Sequence, residues 1–372
     1  MKNNKDLVFL CGARDFHAMD WYSRAIERMG YSKVSIMTDL IESEGFPKLI
    51  NSKDRVNKMI IIDPFLFRTP SNIGNLWRNI VKLIVLPFQA IILSSFFKKN
   101  DNTIFYAHSM YYIVLAHIAG VEFVGRPQGG DILIKPFKSK MYKKFSTMAM
   151  LSAKKIIIDS TKMSNVIADH MSIDINTMII PNGVDIKSII SIKEHSLSLK
   201  KEKNILSFRG LMPLYRINDI IESRNNSNLV DWSLSFIYPF YDGEYKKNIK
   251  SKFTSNDLDI GRLNKEQYYD LLSSSPIVIS IPISDSSPRS VFEAIFCGCV
   301  VIISHQPYYD SLPKCMKERI VIVTLQKNNW LESAINDAKI IQNNKFLPTK
   351  ETLHMFDEKN TFDKMYKCIF SS

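Results

Sequence analysis

Asp285 and Glu293 have seven residues between them, and the hydroxyl-rich opening after Asp285 runs straight into an apolar segment, "SPRSVFEAIFCGC". Glu293 falls between Phe292 and Ala294, a position that a helix built only for packing fills with alanine or leucine. The preceding "PIVISIPI" reads as a buried parallel strand. Ser287 then reads as an N-cap, Pro288 as the first helical residue and Gly298 as the C-terminal stop. The amides of Arg289 and Ser290 would lie at a helix N-terminus beyond the carboxyl end of a strand, a position that favours phosphate. At a rise of ~1.5 Å per residue, Glu293 would sit about one pentose farther on, where a carboxylate accepts from two vicinal hydroxyls. The competing reading has Asp285 help cap the helix and Glu293 pair with a core arginine.

Two arginines point to the same chemistry. In "LSFRGLMPLYRINDII", Arg209 ends a strand and Arg216 begins the next helix. A guanidinium fork suits a pyrophosphate, although either residue could equally be solvated. In "FVGRPQGGDIL", Arg126, Gln128, Gly129, Gly130 and Asp131 follow another strand; the paired glycines allow positive φ or close backbone approach, or mark a simple turn. His108 ends the strand in "FYAHSM". Gly12, Arg14 and His17 follow the first strand in "CGARDFHAMDW", which lacks G-x-G-x-x-G and so argues against a dinucleotide dehydrogenase. "DLD" at Asp257–Asp259 matches a metal-binding D-x-D only at chance level.

These residues need a scaffold that ends many strands on one edge. "DLVFLCG", "KVSIMTD", "KMIIIDP", "NTIFYAHS", "VEFVGRPQGGD" and "KKIIIDS" read as strands, with "HAMDWYSRAIERMG" a helix ending at Gly30. Continuous β-branched runs suit strands covered on both faces, hence a parallel sheet. A second alternation holds "ILSFRG", "WSLSFIYPF", "NDLDIG", "PIVISIPI", "CVVIIS" and "RIVIVT". Two doubly wound Rossmann-like α/β domains follow. Their expected bounds are 1–185 and 186–350, with 186–203 as a charged linker. Residues 351–372 are expected to form a helix packing back toward the N-terminal domain.

The 372 residues suffice for two cores, and 45% hydrophobic with 23% charged residues is a globular composition. A net charge of +12 favours an anionic partner. The basic residues are scattered, with no nucleic-acid arm, so nucleic acid is not expected. The five cysteines read as reduced, buried thiols, and "MKNNKDLVFLCGARD" as a first strand rather than a secretory leader. The segment Leu76 to Asn100 has an apolar run shorter than a membrane span, interrupted by Pro87 and Gln89. It reads as a buried helix, with an interfacial helix flanked by Arg78, Lys82, Lys98 and Lys99 as the alternative.

Together these pieces resemble the group 1 glycosyltransferases (glycosyltransferase family 4), which have the GT-B fold. "IIPNGVD", residues 179–185, looks like the family's strand-to-linker signature, and residues 259–304 look like its C-terminal block. Asp285 and Glu293 match its E-x7-E with aspartate in first place. The resemblance implies two Rossmann-like domains facing across a cleft, and retaining, metal-independent transfer with no cofactor. The donor would be a UDP- or GDP-linked sugar, and the acceptor a glycan or a lipid-linked molecule of bacterial surface polysaccharide synthesis. Glu293 would bind the ribose. Ser287, Arg289, Ser290 and Arg262 would contact the donor, and Arg209 and Arg216 would replace the family's arginine–lysine pair, whose lysine position holds Tyr215. Asp285 and His108 complete the expected catalytic set. Gly12, Arg14, His17, Gln128, Gly129 and Asp131 would line the acceptor side, with Gln128 where the family has histidine.

A cytoplasmic enzyme follows, with a peripheral position on the inner face of the cytoplasmic membrane as a further expectation. A sugar-nucleotide epimerase of the same architecture and a non-catalytic partner subunit are the competing readings.

Overall fold

A computed structural model describes residues 5–41, 50–67, 72–172, 174–195, 203–229, 231–326 and 329–370. The chain divides into two compact units: Met1–Pro181 with Thr361–Ser372, and Asn182–Asn360.

In the first unit, β1 (Asp6–Leu10), β2 (Val34–Thr38), β3 (Val56–Lys58), β4 (Thr103–His108), β5 (Phe123–Arg126), β6 (Lys155–Ile158) and β7 (Thr177–Ile179) form one sheet. Its order is β3-β2-β1-β4-β5-β6-β7, with every pair parallel. Strand side chains alternate between two cores. Val8, Leu10, Phe105 and Ala107 face the helices Asn72–Lys99, Met110–Ala119 and Lys140–Leu151. Leu7, Phe9, Ile104 and Tyr106 face the helix Phe16–Met29 and the C-terminal Phe362, Met365 and Ile369. Both faces are covered, which is why the strands read as unbroken apolar runs.

The second unit repeats the plan with β8 (Asn204–Ser207), β9 (Ser233–Ile237), β10 (Leu258–Gly261), β11 (Ile277–Ser280), β12 (Val300–Ser304) and β13 (Ile320–Val323). The order is β10-β9-β8-β11-β12-β13, again all parallel.

Several local expectations change. "KMIIIDP" is not a strand: β3 ends at Lys58, and Met59 and Ile62 instead donate backbone N–H groups to Thr38 and Asp39 as the chain enters a short turn at Asp63–Phe65. The expected linker begins as a helix, Ile186–His195, because Ile186 and Ile189 at i, i+3 spacing are buried in the second core. Residues 196–202 of that linker lie outside the described residues. The segment expected as a buried helix forms Asn72–Lys99 but buries only one face. Contrary to the reading of its interrupted apolar run, it is long and apolar enough to cross a membrane by length and composition alone. At the C-terminus, Lys350–Phe356 lies in the second unit, and residues 361–370 return to the first. Cys11, Cys297, Cys299 and Cys368 are buried free thiols, and Cys315 is half-buried.

Candidate active site

Each sheet has one point where the chain reverses its direction of winding. In the second sheet the strands run outward from β8 through β10, then resume at β11 and run the other way. Loops leaving β8 and β11 therefore diverge and open a crevice at the carboxyl edge, where ligands bind in doubly wound sheets. Arg209 leaves β8 there, and Asp285 to Ser290 leave β11.

These residues meet. Arg209 donates from Nη2 to Asp285 Oδ2 at 2.7 Å and from Nη1 to Ser290 Oγ at 2.9 Å. Its guanidinium carbon lies 4.6 Å from the centre of the Tyr215 ring. Burial acts to lower the pKa of Arg209, but the Asp285 carboxylate and the hydroxyls of Tyr215 and Tyr308 raise it on balance. The cation is therefore permanent. Asp285 is fixed in turn: its backbone N–H donates to Gln306 Oε1 at 3.1 Å, and Gln306 Nε2 is anchored on the Pro282 carbonyl at 2.9 Å.

The helix spans Arg289–Cys297, with Pro288 rather than Ser287 at the N-cap. Proline offers no capping oxygen, so no side chain closes this end, and Ser287 sits one residue farther out. The Ser287 hydroxyl is buried without a hydrogen-bond partner, and its carbonyl accepts from Asn182 Nδ2 at 3.2 Å. Gly298 ends the helix at φ 98°, a left-handed turn that favours glycine, as expected.

Glu293 is 8% exposed, and Oε1 already accepts from the Tyr269 hydroxyl at 2.9 Å and from Arg289 Nε at 3.1 Å. Arg289 also reaches Glu358 Oε2 at 3.4 Å. The arginine alternative is thus the arrangement present, and Arg289 bridges two carboxylates. Arg216 caps the helix Ile217–Asn225 at φ 51°, and its charge acts on Asp219. Arg262 is exposed after β10.

In the first sheet the winding reverses between β1 and β4. His108 ends β4, and Asp15 follows β1 as the N-cap of Phe16–Met29, accepting from the backbone of His17 and Ala18. Asp15 Oδ2 lies 3.6 Å from His108 Nε2 and accepts from Gln128 Nε2 at 2.9 Å. Both His108 ring nitrogens are buried without a hydrogen bond. Burial pushes the imidazole pKa below its ordinary value, outweighing the carboxylates of Asp15 and Asp131. Burial acts to raise Asp15, but His108, His17 and the two backbone N–H groups outweigh it and lower its pKa. A neutral imidazole beside a carboxylate is competent to take or guide a proton.

Gly12 leaves room that a side chain would fill, since an added Cβ would lie 3.2 Å from the Tyr112 hydroxyl. Arg14 is half-buried with Nη1 3.8 Å from Asp63 Oδ1, and His17 flanks Asp15. Asp131 is structural: it accepts from the backbone of Met110 and Gln128, from Lys135 Nζ and from the Tyr142 hydroxyl. Gly129 and Gly130 form the first turn of the helix Gly129–Leu133 without positive φ, and an added Cβ at Gly130 would meet open space. Both carboxylates of "DLD" have protein partners. Asp257 is locked to Arg224 by two 2.8 Å bonds, and Asp259 accepts from the Tyr238 hydroxyl at 2.6 Å.

No family model and no curated protein matches the sequence. Solved structures do match along nearly the whole chain. Sucrose-phosphate synthase from Thermosynechococcus elongatus superposes with a TM-score of 0.76 at 11% identity, covering 98% of both chains. Anabaena HepE, solved in complex with UDP and glucose, gives 0.70 at 14% identity over 98% of this chain and 99% of its own. The UDP-forming α,α-trehalose-phosphate synthase of Burkholderia xenovorans, in complex with glucose-6-phosphate, gives 0.68 at 10% identity over 98% and 100%. The fold is GT-B.

Within this GT-B chain, Arg209, Asp285 and Ser290 form one constellation, Arg289 and Glu293 a second, and His108 and Gln128 a third around Asp15. Tyr269, Gln306 and Glu358 were not singled out in the sequence: Tyr269 lies within residues 259–304 but carries no spacing that ties it to Glu293, and Gln306 and Glu358 stand outside the quoted motifs. Asp15 and Asn182 carried a signal, since they stand inside "CGARDFHAMDW" and "IIPNGVD".

Proposed function

We propose that the chain is a retaining, metal-independent glycosyltransferase of the E-x7-E type. It would move a sugar from a UDP- or GDP-linked donor to a glycan or lipid-linked acceptor in bacterial surface polysaccharide synthesis, on the cytoplasmic side. The observation that carries this reading is the Arg209 fork held between Asp285 and Ser290 at the switch point of the second sheet. A fixed cation at a helix start suits a diphosphate leaving group. The UDP bound in HepE and the UDP-forming chemistry named for the trehalose-phosphate synthase support UDP as the donor nucleotide to try first.

In this reading the bond from the sugar's anomeric carbon to the diphosphate oxygen breaks, and its electron pair stays with the diphosphate beside Arg209. The acceptor hydroxyl oxygen bonds to the same face of that carbon, and its proton passes to the departing diphosphate. Asp285 and Ser287 face the donor, Arg216 and Arg262 extend the cationic rim, and Glu293 takes the ribose by releasing one of its present donors. His108, with Gly12, Arg14 and His17, orients the acceptor.

A panel of sugar nucleotides scored for nucleotide release tests the proposal. Turnover of one donor is expected, and Arg209→Ala should lower kcat by about 10²–10³-fold. If no donor turns over and Glu293→Ala leaves donor affinity unchanged, the site assignment is abandoned. The His108–Asp15 pair favours one competing reading, an epimerase, because it is an acid/base pair. An isomerised sugar nucleotide formed without acceptor would support that alternative.

A further inference from the structure

The helix Asn72–Lys99 is turned the wrong way for a core helix. Its inward face carries Lys82 and Gln89, both buried, and both are used. Lys82 Nζ lies 3.3 Å from Asp39 Oδ2 and 3.9 Å from the centre of the Tyr111 ring. Gln89 Nε2 donates to the Ile60 carbonyl at 3.1 Å, and Gln89 Oε1 accepts from the Tyr111 hydroxyl at 2.7 Å. Asp39 also accepts from the Tyr112 hydroxyl. This network fixes the rotation of the helix about its axis and ties it to the first sheet. The outward face is apolar over five turns: Ile73, Leu76, Ile80, Ile84 and Ile91 recur at three-, four- and seven-residue spacing and are 39–73% exposed. It ends in Lys98 and Lys99.

The same pattern continues two helices away. Met110–Ala119 packs between Asn72–Lys99 and Lys140–Leu151, and the three form one layer on one face of the first sheet. Exposed Met141, Phe145 and Met148 on Lys140–Leu151 extend the apolar surface, preceded by exposed Phe137, which stacks one face of its ring on His170. They interleave with Lys138, Lys140 and Lys144, and residues 135–144 hold five lysines and no acidic residue.

We propose that this layer is a docking surface for an anionic lipid bilayer. The apolar face would enter the boundary between headgroups and acyl chains, and the flanking lysines would meet lipid phosphates. Large exposed apolar surfaces on a soluble fold mark such contacts. The lysine fringe selects an anionic lipid surface over a second copy of this equally basic chain. The exposed residues of this surface are not members of the Arg209–Asp285 or His108–Asp15 constellations, so the inference does not depend on the transferase reading.

Trp77 provides a built-in probe. It is 40% exposed on this face, whereas Trp21, Trp232 and Trp330 are 6–7% exposed. The full chain is mixed with vesicles of phosphatidylglycerol and phosphatidylcholine, or phosphatidylcholine alone, with brominated acyl chains. Quenching of Trp77 and co-sedimentation are expected with the anionic vesicles, falling as salt rises. Trp77→Phe should remove the quenching while leaving sedimentation in place. Ile80→Glu with Ile84→Glu should abolish both, without core damage because these side chains are exposed. Lys138→Glu with Lys144→Glu should weaken partitioning on the order of tenfold or more at about 1 kcal/mol per lysine. Absence of binding at low salt overturns the proposal, as does wild-type binding by the paired isoleucine variant. Sedimentation showing a dimer that this variant dissociates, with no lipid binding by either, assigns the face to self-association instead.

Discussion

Arg209 Nη2 sits 2.7 Å from Asp285 Oδ2, so the cation best placed for a diphosphate is already paired with a carboxylate. Any anion bound at the start of the Arg289–Cys297 helix competes with Asp285 for that guanidinium. Asp285→Asn keeps the shape and removes the competing charge. UDP is then expected to bind on the order of tenfold tighter, a difference of about 1.4 kcal/mol, read by titration calorimetry. Weaker binding would show that the carboxylate itself touches the donor.

Glu293 serves the fold before it serves any ligand. Removing it takes the acceptor from the buried Tyr269 hydroxyl and leaves Arg289 with Glu358 as the remaining one of the two carboxylates it bridges. Glu293→Ala is expected to cost about 3–5 kcal/mol, the range for breaking a buried ion pair. Glu293→Gln retains an acceptor and should cost less. Thermal melts rank the two. A melting temperature unchanged in the alanine variant would rule out the structural role.

His108 gives the first unit a pH dependence of definite sign. Its folded pKa lies below the ordinary value near 6.5, chiefly through burial, with Arg126 adding to the shift and Asp15 and Asp131 opposing it. The unfolded chain therefore binds more protons in that window, and stability falls as pH drops through about 6.5 toward the folded pKa. Denaturant midpoints at pH 7.5 and 5.5 should differ in the native protein and differ less in His108→Gln. An equal difference in both would assign the effect elsewhere.

Arg224 and Asp257 form a buried bidentate pair, and Asp257 also accepts from the backbone of Leu234 and Thr254. Burial acts to raise the Asp257 pKa, but Arg224 and the two N–H groups lower it on balance. Its contribution is present above the unfolded carboxylate pKa near 4 and is lost as pH falls through the folded one. Arg224→Met leaves the buried carboxylate with its two backbone N–H donors but no counter-cation and should cost about 3–5 kcal/mol. At about 2–4 °C per kcal/mol, the second unit should melt on the order of ten degrees lower. Mn²⁺ should not restore it.

Most strands were legible because both sheets are parallel and covered, which turns each strand into a β-branched run bounded by turn residues. "KMIIIDP" misled for the same reason: its isoleucines are apolar, yet Gln89 holds the Ile60 carbonyl away from any ladder. Arg209, Asp285 and Ser290 were legible as neighbours because the ends of adjacent strands deliver them. The engagement of Glu293 was open, since Tyr269 and Glu358 come from other helices at spacings that no sequence pattern ties to it. The outward apolar face of Asn72–Lys99 was unreadable from periodicity, because the pattern marks two faces without saying which one turns inward. Asp39, Tyr111 and Tyr112 decide that, from elsewhere in the chain.

The first unit is completed by residues from both ends of the sequence, with Phe362, Met365 and Ile369 packed among Leu7, Phe9 and Tyr22. The second unit is one uninterrupted stretch, Asn182–Asn360. On the ribosome this stretch emerges whole while the unit begun earlier still lacks its last helix. The half started first is thus completed only after the second unit, when Phe362, Met365 and Ile369 join the helix Phe16–Met29 over the strand face of Leu7 and Phe9.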